Sequence, residues 1–385
     1  MKKAKSAAHG GPAAPMRFPV SPAACCRALF GRAGPPPEGR FAGSGQEALT
    51  LALRGAAALA GAEPDAPVVV PDFICPTVPA AVRDAGLRPQ VVPLDATAWF
   101  YELDGLEEAL RGGTRLAVLV SYFGLSPLPP GPARGRARAL LAEVDAVEDS
   151  AQAFGTEAPP WLPRSRFRIF SFGRGKSLPL VWGGLAQGLE GEAQAWLDAQ
   201  PMHRGPGAVL ASLLDLGLAQ AQSALLHPAV FRFVLLPRSA ASPHHPSGRR
   251  RPPLAWPATH YISAQGERLS REIETRRANA LALHAGLQDL RGVTLPAPEA
   301  VAEGVALRLP VLFDDPTAGE DARARLIERG ILRGPHDWHD YAGGSPTALS
   351  IARRLVTLPT WSGSERAGTA AVALLRERLG AHARD

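Results

Sequence analysis

The sequence predicts an α/β fold: a large domain with a mostly parallel sheet flanked by helices, followed by a smaller C-terminal α+β domain. Two observations carry this. Short apolar runs at 68–70, 89–94, 116–120, 143–147 and 166–172 alternate with stretches of helical periodicity, the pattern of strands buried on both faces and linked by crossover helices. The pattern then breaks across residues 193–258 and resumes near Tyr261 with a long helix, and a chain of 385 residues is longer than one ordinary domain.

In chain order, residues 1–38 are rich in Pro, Gly and Ala and are expected to form a disordered N-terminal tail, with order beginning near Arg40. The large domain is assigned to 39–240. FAGSGQEALTLALRGAAALAGA opens it as a glycine-rich turn entering a helix over 46–59. A strand at 68–70, a helix through Arg83 and a strand at 89–94 closing at Asp95 follow. The pattern repeats with a helix to Leu110, a strand at 116–120, a further helix, and a strand at 143–147 ending in Glu148 and Asp149. RFRIFSF is one more strand, and GGLAQGL reads as its return strand after a hairpin-like turn. An apolar helical segment spans 208–237, and a loop rich in Pro and Arg spans 241–258. The small domain, 259–385, holds a helix over 270–290, strand candidates at 305–313, a helix over 318–330 and a C-terminal helix over 365–379.

Composition bounds the function. Hydrophobic residues make up 46% and charged residues 20%, which suits a large core. A net charge of +6 is modest for this length; it permits anionic substrates and does not indicate nucleic acid. The three cysteines, Cys25, Cys26 and Cys75, form no CxxC pair. That argues against a disulfide scaffold or zinc site and suits a reducing, cytoplasmic setting. The N-terminus has basic residues but no continuous apolar region behind them, so it does not read as a signal peptide. The 208–237 segment with Arg249–Arg251 invites a peripheral membrane contact. Asp215, Gln220 and Gln222 interrupt its apolar face, which favours helices packed on the large domain or on a partner. His244, His245, His336 and His339 are read as loop residues, and no metal site is assigned.

The chemistry starts from lysine usage. Lysine occurs only at 2, 3, 5 and 176, beside 38 arginines, so the folded body carries one lysine, Lys176. Arginine supplies positive charge but does not become a neutral amine nucleophile. A lone lysine after an apolar strand, between glycines, therefore reads as a Schiff-base lysine. Gly43-Ser44-Gly45-Gln46 stands where backbone N–H groups at a helix N-terminus hold a phosphate. Asp149 ends a strand, with Gln152 three residues later, and fits a partner for a protonated heterocyclic nitrogen. Ser171, five residues before Lys176, is placed to reach the same phosphate. Phosphate, ring-nitrogen partner and Schiff-base lysine together specify pyridoxal 5′-phosphate.

The order GSGQEAL, VVVPDFICPTVPAAV, LAVLVSYFG, VEDSAQAFG, FSFGRGKSL, WGG and LPTWSG resembles the DegT/StrS family of sugar aminotransferases, within the fold type I pyridoxal-phosphate enzymes, over residues 40–380. The resemblance implies that Lys176 is the internal-aldimine lysine, Asp149 the pyridine-nitrogen partner and Gln152 the residue beside the ring hydroxyl. It implies a phosphate cradle of Ser171, Gly45 and Gln46. It also implies a homodimer with the site at the subunit boundary, an amino donor such as glutamate, and a keto-sugar nucleotide or related carbonyl acceptor. Dehydratases of the family carry histidine in place of the lysine, and Lys176 argues against that variant.

The chain departs from the pattern in four places. Cys75 stands where a ring-stacking aromatic is common, with Phe73 as a substitute candidate. Ser121 replaces a usual histidine, Gln46 a usual threonine, and the stretch by which a neighbouring subunit reaches the site is reduced to THYIS around His260. Two other readings compete. GRGKS suggests a P-loop, but Phe170 stands where its first glycine belongs, and Pro179 with Gly183-Gly184 follows instead of a helix. The departures also allow a catalytically inactive paralogue acting in binding or assembly; retention of Lys176 in an arginine-rich chain weighs against it.

Overall fold

The computed structural model describes residues 21–155, 159–173, 175–201, 205–225, 251–332 and 345–382. The chain is built on a seven-stranded sheet of order β1-β9-β8-β7-β6-β2-β3. Its members are β1 (Arg40–Ala42), β2 (Pro67–Pro71), β3 (Arg88–Val92), β6 (Leu116–Val120), β7 (Asp145–Asp149), β8 (Ser165–Ser171) and β9 (Gly184–Gly188). β3, β2, β6, β7 and β8 run parallel. β9 returns antiparallel beside β8, and β1 pairs antiparallel with β9. The central strands are buried along their length, because helices lie on both faces.

The helices that close those faces start where the sequence supplies caps. In α2 (Gly45–Ala60), the Ser44 hydroxyl accepts from Glu47 N–H, and Gly61 ends the helix in the left-handed region at φ 60°. α2 packs on α3 (Thr77–Asp84) and across β7, β8 and β9, burying Ala48, Leu49, Ala52, Leu53 and Ala56. α4 (Leu103–Arg111) and α5 (Pro132–Leu140) cover the other face, in a core containing Leu106, Ala137 and Leu141.

Three strand expectations shift. The run at 89–94 divides: β3 stops at Val92, and Leu94–Asp95 (β4) pairs with Phe100–Tyr101 (β5) in a separate two-stranded sheet. Pro93 lies at the break and has no N–H to continue the ladder. β7 begins at Asp145 rather than at 143, because Leu141 and Val144 close a turn there. The strand expected from 305 begins at Arg308, because Ala306 is held at φ 49°.

The tail expectation is also corrected in part. Residues 1–20 lie outside the described residues, but 22–29 form α1 (Pro22–Leu29), capped by Ser21 with proline in its first turn. Ala24, Cys25 and Ala28 are buried against α8 (Ala258–Ser263), which carries the THYIS stretch. Between them, α6 (Gly191–Ala199) and α7 (Pro206–Leu225) follow β9. α7 buries Ala208, Leu216 and Ala219 and leaves Leu210, Leu213, Leu214 and Leu218 exposed. Residues 226–250, with most of the expected 241–258 loop and two of the four histidines, lie outside the described residues, as do 333–344 with the other two.

The C-terminal part is a three-stranded antiparallel sheet, β10 (Val293–Thr294), β11 (Arg308–Phe313) and β12 (Leu355–Pro359). Around it pack α9 (Gly266–Leu287), α10 (Pro298–Glu303), α11 (Pro316–Glu328), α12 (Pro346–Arg354) and α13 (Glu365–His382). One apolar core continues from Phe73, Trp99, Tyr122 and Phe123 near the large sheet into Leu309, Val311 and Leu355 of the small one.

Candidate active site

The carboxyl ends of β2, β6, β7 and β8 converge on one edge of the large sheet, where open α/β sheets place their ligands. Asp149 is the last residue of β7 and is buried, its Oδ1 accepting from Ala151 N–H at 3.0 Å. Burial pushes its carboxyl above the ordinary value, against the Ala151 N–H and the Lys176 charge, which pull it down. Lys176 lies in the turn after β8, partly buried. Burial pulls its ammonium below the ordinary value; Cys75 and Asp149 oppose this, and the Arg308 guanidinium adds to it. The lysine amine and the buried carboxyl therefore act on each other in one electrostatic field.

The turn that carries Lys176 is fixed from below. Ser177 Oγ donates to the Gln152 carbonyl at 3.0 Å, and Lys176 N–H meets the Gly173 carbonyl at 3.3 Å. Gly175 adopts φ 78°, a conformation that suits glycine. Gln152 thus touches the lysine turn through its backbone.

Ser171 and Gly45 meet directly. A Cβ placed on Gly45 would stand 2.8 Å from Ser171 Cβ and 2.9 Å from its hydroxyl oxygen, so the N-terminus of α2 closes on the end of β8 only with glycine there. Gln46 differs from its neighbours: its side-chain amide donates to Asp84 Oδ2 at 3.0 Å on an exposed face, leaving its backbone N–H as the group at the helix end. Segment 251–256 closes over this corner. Arg251 N–H approaches Glu47 Oε1 at 3.4 Å, and its guanidinium lies 3.2 Å from the centroid of the Trp182 ring.

Phe73 is corrected as a ring-stacking candidate. It is 1% exposed, inside an aromatic group with Trp99 and Tyr122 at centroid distances of 6.3 Å, and the Tyr122 hydroxyl donates to its carbonyl. Cys75, by contrast, acts electrostatically on Lys176 and holds its sulfur 3.0 Å from Thr77 Oγ1. Ser121 is buried, with its N–H on the Asp149 carbonyl at 3.0 Å, which aligns β6 and β7 beneath the site. Arg308 was not singled out in the sequence, although an arginine within the otherwise apolar VALRLPVLF is a visible signal.

This open sheet, with a lysine turn, a buried aspartate and a helix N-terminus at one edge, is the architecture of the fold type I pyridoxal-phosphate enzymes. Residues 41–189 match the sequence model of the DegT/DnrJ/EryC1/StrS aminotransferase family, the family that the motifs resemble. No curated protein matches the chain. Solved structures share the fold at low identity. One is DesV of S. venezuelae, in complex with a ketimine intermediate: 21% identity, 92% of this chain and 93% of that chain covered, TM-score 0.61. The sugar aminotransferase CalS13 of Micromonospora echinospora is similar at 18% identity, 96% and 100% coverage and TM-score 0.63. The E. coli GDP-4-keto-6-deoxy-D-mannose-3-dehydratase with bound hydrated PLP is similar at 13% identity, 95% and 98% coverage and TM-score 0.66.

Proposed function

We propose that the chain is a pyridoxal-phosphate-dependent aminotransferase that moves an amino group from a donor such as glutamate to a keto-sugar nucleotide or a related carbonyl compound. The observation that carries this is the pairing of Lys176 with Asp149, an amine held below its ordinary pKa beside a buried carboxylate at the end of a central strand. The residues present fit the cofactor: a buried carboxylate gains from a cationic N–H partner, and the Gly45–Ser171 contact leaves backbone N–H groups and a hydroxyl at one helix end. Pyridoxal 5′-phosphate, when bound, supplies an electron sink for the carbanion left when an amino compound loses its Cα proton.

In this reading Asp149 accepts the ring N–H and keeps that nitrogen protonated. Ser171 Oγ and the N–H groups of Gly45 and Gln46 hold the phosphate, and Gln152 stands beside the ring hydroxyl. Lys176 Nζ, its pKa lowered by burial, takes and returns the proton at the substrate Cα. Cys75 stands at the position where an aromatic residue would stack on the ring. We assign the active form to a homodimer in the cytoplasm.

The test is borohydride treatment of the cofactor-loaded protein followed by peptide mass mapping, beside Lys176→Ala. A cofactor label on the peptide containing Lys176, lost in the variant, supports the reading. A wild-type protein that takes up no label refutes it and favours a binding role, for which the outward-turned Gln46 side chain is the structural argument.

A further inference from the structure

We propose that α7, with the end of α1 and Trp256, rests on an anionic lipid surface. Among the described residues ten large hydrophobic side chains are exposed, and seven of the ten belong to these three places. Leu210, Leu213, Leu214 and Leu218 lie on α7, while Leu29 and Phe30 close α1, with Phe30 75% exposed. The three places adjoin. Gln220 Nε2 on α7 donates to Cys25 Sγ on α1 at 3.0 Å, and Ala255 N–H, beside Trp256, donates to Ser212 Oγ at 2.9 Å. From Leu210 to Ala221 the exposed positions of α7 are the four leucines, Gly217 and Ala221, an arc at helical spacing with no polar side chain. Asp215 and Gln220 interrupt the leucines in sequence, but both turn off this arc. Asp215 accepts from Trp182, near the Arg251 charge, and Gln220 meets Cys25. An apolar, unpaired face of this kind is the side of an interfacial helix that enters the headgroup boundary. No described helix is long and apolar enough to cross a membrane, so α7 would lie along the surface.

Charge decides what covers this face. The first acidic residue of the chain is Glu38, and between Asp215 and Glu267 there is none. Residues 1–37 and 216–266 hold 11 of the 42 Lys and Arg and none of the 36 Asp and Glu. These two stretches therefore carry +11, and the rest of the chain −5. α1 and Trp256 lie within them, and α7 runs into the second. A basic, apolar face complements an anionic bilayer, where each Lys or Arg adds attraction within a Debye length. The exposed Trp256 is of the type that settles at headgroup level. The same charges disfavour a second copy as the occupant, because a two-fold interface sets identical patches opposite each other.

The experiment sediments the full chain with vesicles of phosphatidylcholine alone, or of equal parts phosphatidylcholine and phosphatidylglycerol. Neither the contact nor its test depends on bound cofactor. Wild type is compared with Leu210→Ser/Leu214→Ser and with Leu281→Ser/Leu349→Ser, a control that changes two exposed leucines elsewhere. Circular dichroism and melting temperature first establish that each variant is folded. Wild type should pellet with the mixed vesicles, bind phosphatidylcholine at least about 10-fold more weakly, and be released by salt. Leu210→Ser/Leu214→Ser should bind the mixed vesicles about 10- to 100-fold more weakly, while the control binds as wild type does. Wild type that fails to pellet, or that binds both vesicles equally, overturns the proposal. So does an equal loss in both variants, or no loss in Leu210→Ser/Leu214→Ser. Sedimentation velocity reads the other occupant: a shift from dimer to monomer in that variant, with no vesicle binding by wild type, assigns the face to a second copy and overturns the lipid contact.

Discussion

Gly45 and Ser171 are in contact across the boundary between α2 and β8, so close that a methyl group on Gly45 would come 2.8 Å from Ser171 Cβ. At a helix position alanine normally stabilises relative to glycine, by roughly 0.5–1 kcal/mol. Here overpacking wins, and Gly45→Ala is expected to cost about 1–3 kcal/mol. The double variant with Ser171→Gly should recover most of that loss in a denaturant melt, because the two changes share one contact. Its affinity for pyridoxal phosphate should stay low, since the hydroxyl is gone. Additive losses in the double variant would show that the contact is not what requires glycine.

The depressed pKa of Lys176 is also a statement about stability. Its ordinary value is 10.5, and the folded value is lower. The unfolded chain therefore binds the proton more tightly, and the fold is penalised at every pH below the folded pKa. The penalty fades as pH rises from there toward 10.5. In the cofactor-free protein, Lys176→Met should raise the melting temperature at pH 7, because the variant has no charge to bury. The gain should vanish above about pH 10. Thermal melts across pH decide this, and a variant less stable than wild type at pH 7 would contradict it.

Much of the large sheet was legible because its strands are buried on both faces. Val68–Val70 and the 116–120 run are apolar throughout, and the helices between them carry caps and a glycine stop. The places of Asp149 at a strand end and of Lys176 in the turn after a strand were legible from the apolar runs that precede them. What stayed hidden depends on partners distant in sequence. Phe73 is enclosed by Trp99 and Tyr122, so its burial cannot be read from its own neighbours. α1 lies within a stretch rich in Pro, Gly and Ala and packs on α8, more than 200 residues away, as Arg27 donating to the carbonyl of Ala264, just after α8, illustrates (a sequence separation of 237). β12 follows α12 without a breaker, because Leu355 both ends the helix and starts the strand. The side chain of Gln46 meets Asp84, a partner 38 positions along the chain.

Glu148 and Arg168 form an ion pair on adjacent strands one residue before the site, at 2.6 Å and almost without solvent exposure. Glu148 also accepts from Trp161 N–H at 2.7 Å, and Arg168 donates to the Pro159 carbonyl at 2.9 Å. Removing one partner strands the other charge in the interior, so Arg168→Ala should cost about 3–5 kcal/mol. Replacing both with apolar residues, Glu148→Leu with Arg168→Met, should cost less than Arg168→Ala alone. Urea denaturation measures both. A smaller loss in the single variant than in the double would show that the pair does not stabilise by mutual compensation.

Asp149→Asn separates stability from function at the same position. The folded carboxyl has its pKa raised above 3.8 by burial, so the folded protein holds that proton more tightly than the unfolded chain. The resulting penalty is absent well below pH 3.8, grows as pH rises through that value to the folded pKa, and is constant above it. Asparagine keeps an oxygen for the Ala151 N–H and carries no charge, so the cofactor-free variant should be at least as stable as wild type at pH 7. The advantage should shrink as pH falls below the folded pKa and vanish well below 3.8, where the wild-type carboxyl is neutral in the folded and unfolded chain alike. Cofactor binding should move the other way. Without a carboxylate to hold the ring nitrogen protonated, affinity for pyridoxal phosphate should fall by about 10- to 100-fold. Absorbance titration beside a pH series of melts reads both effects. A variant that is more stable and still binds the cofactor as wild type does would remove Asp149 from the site.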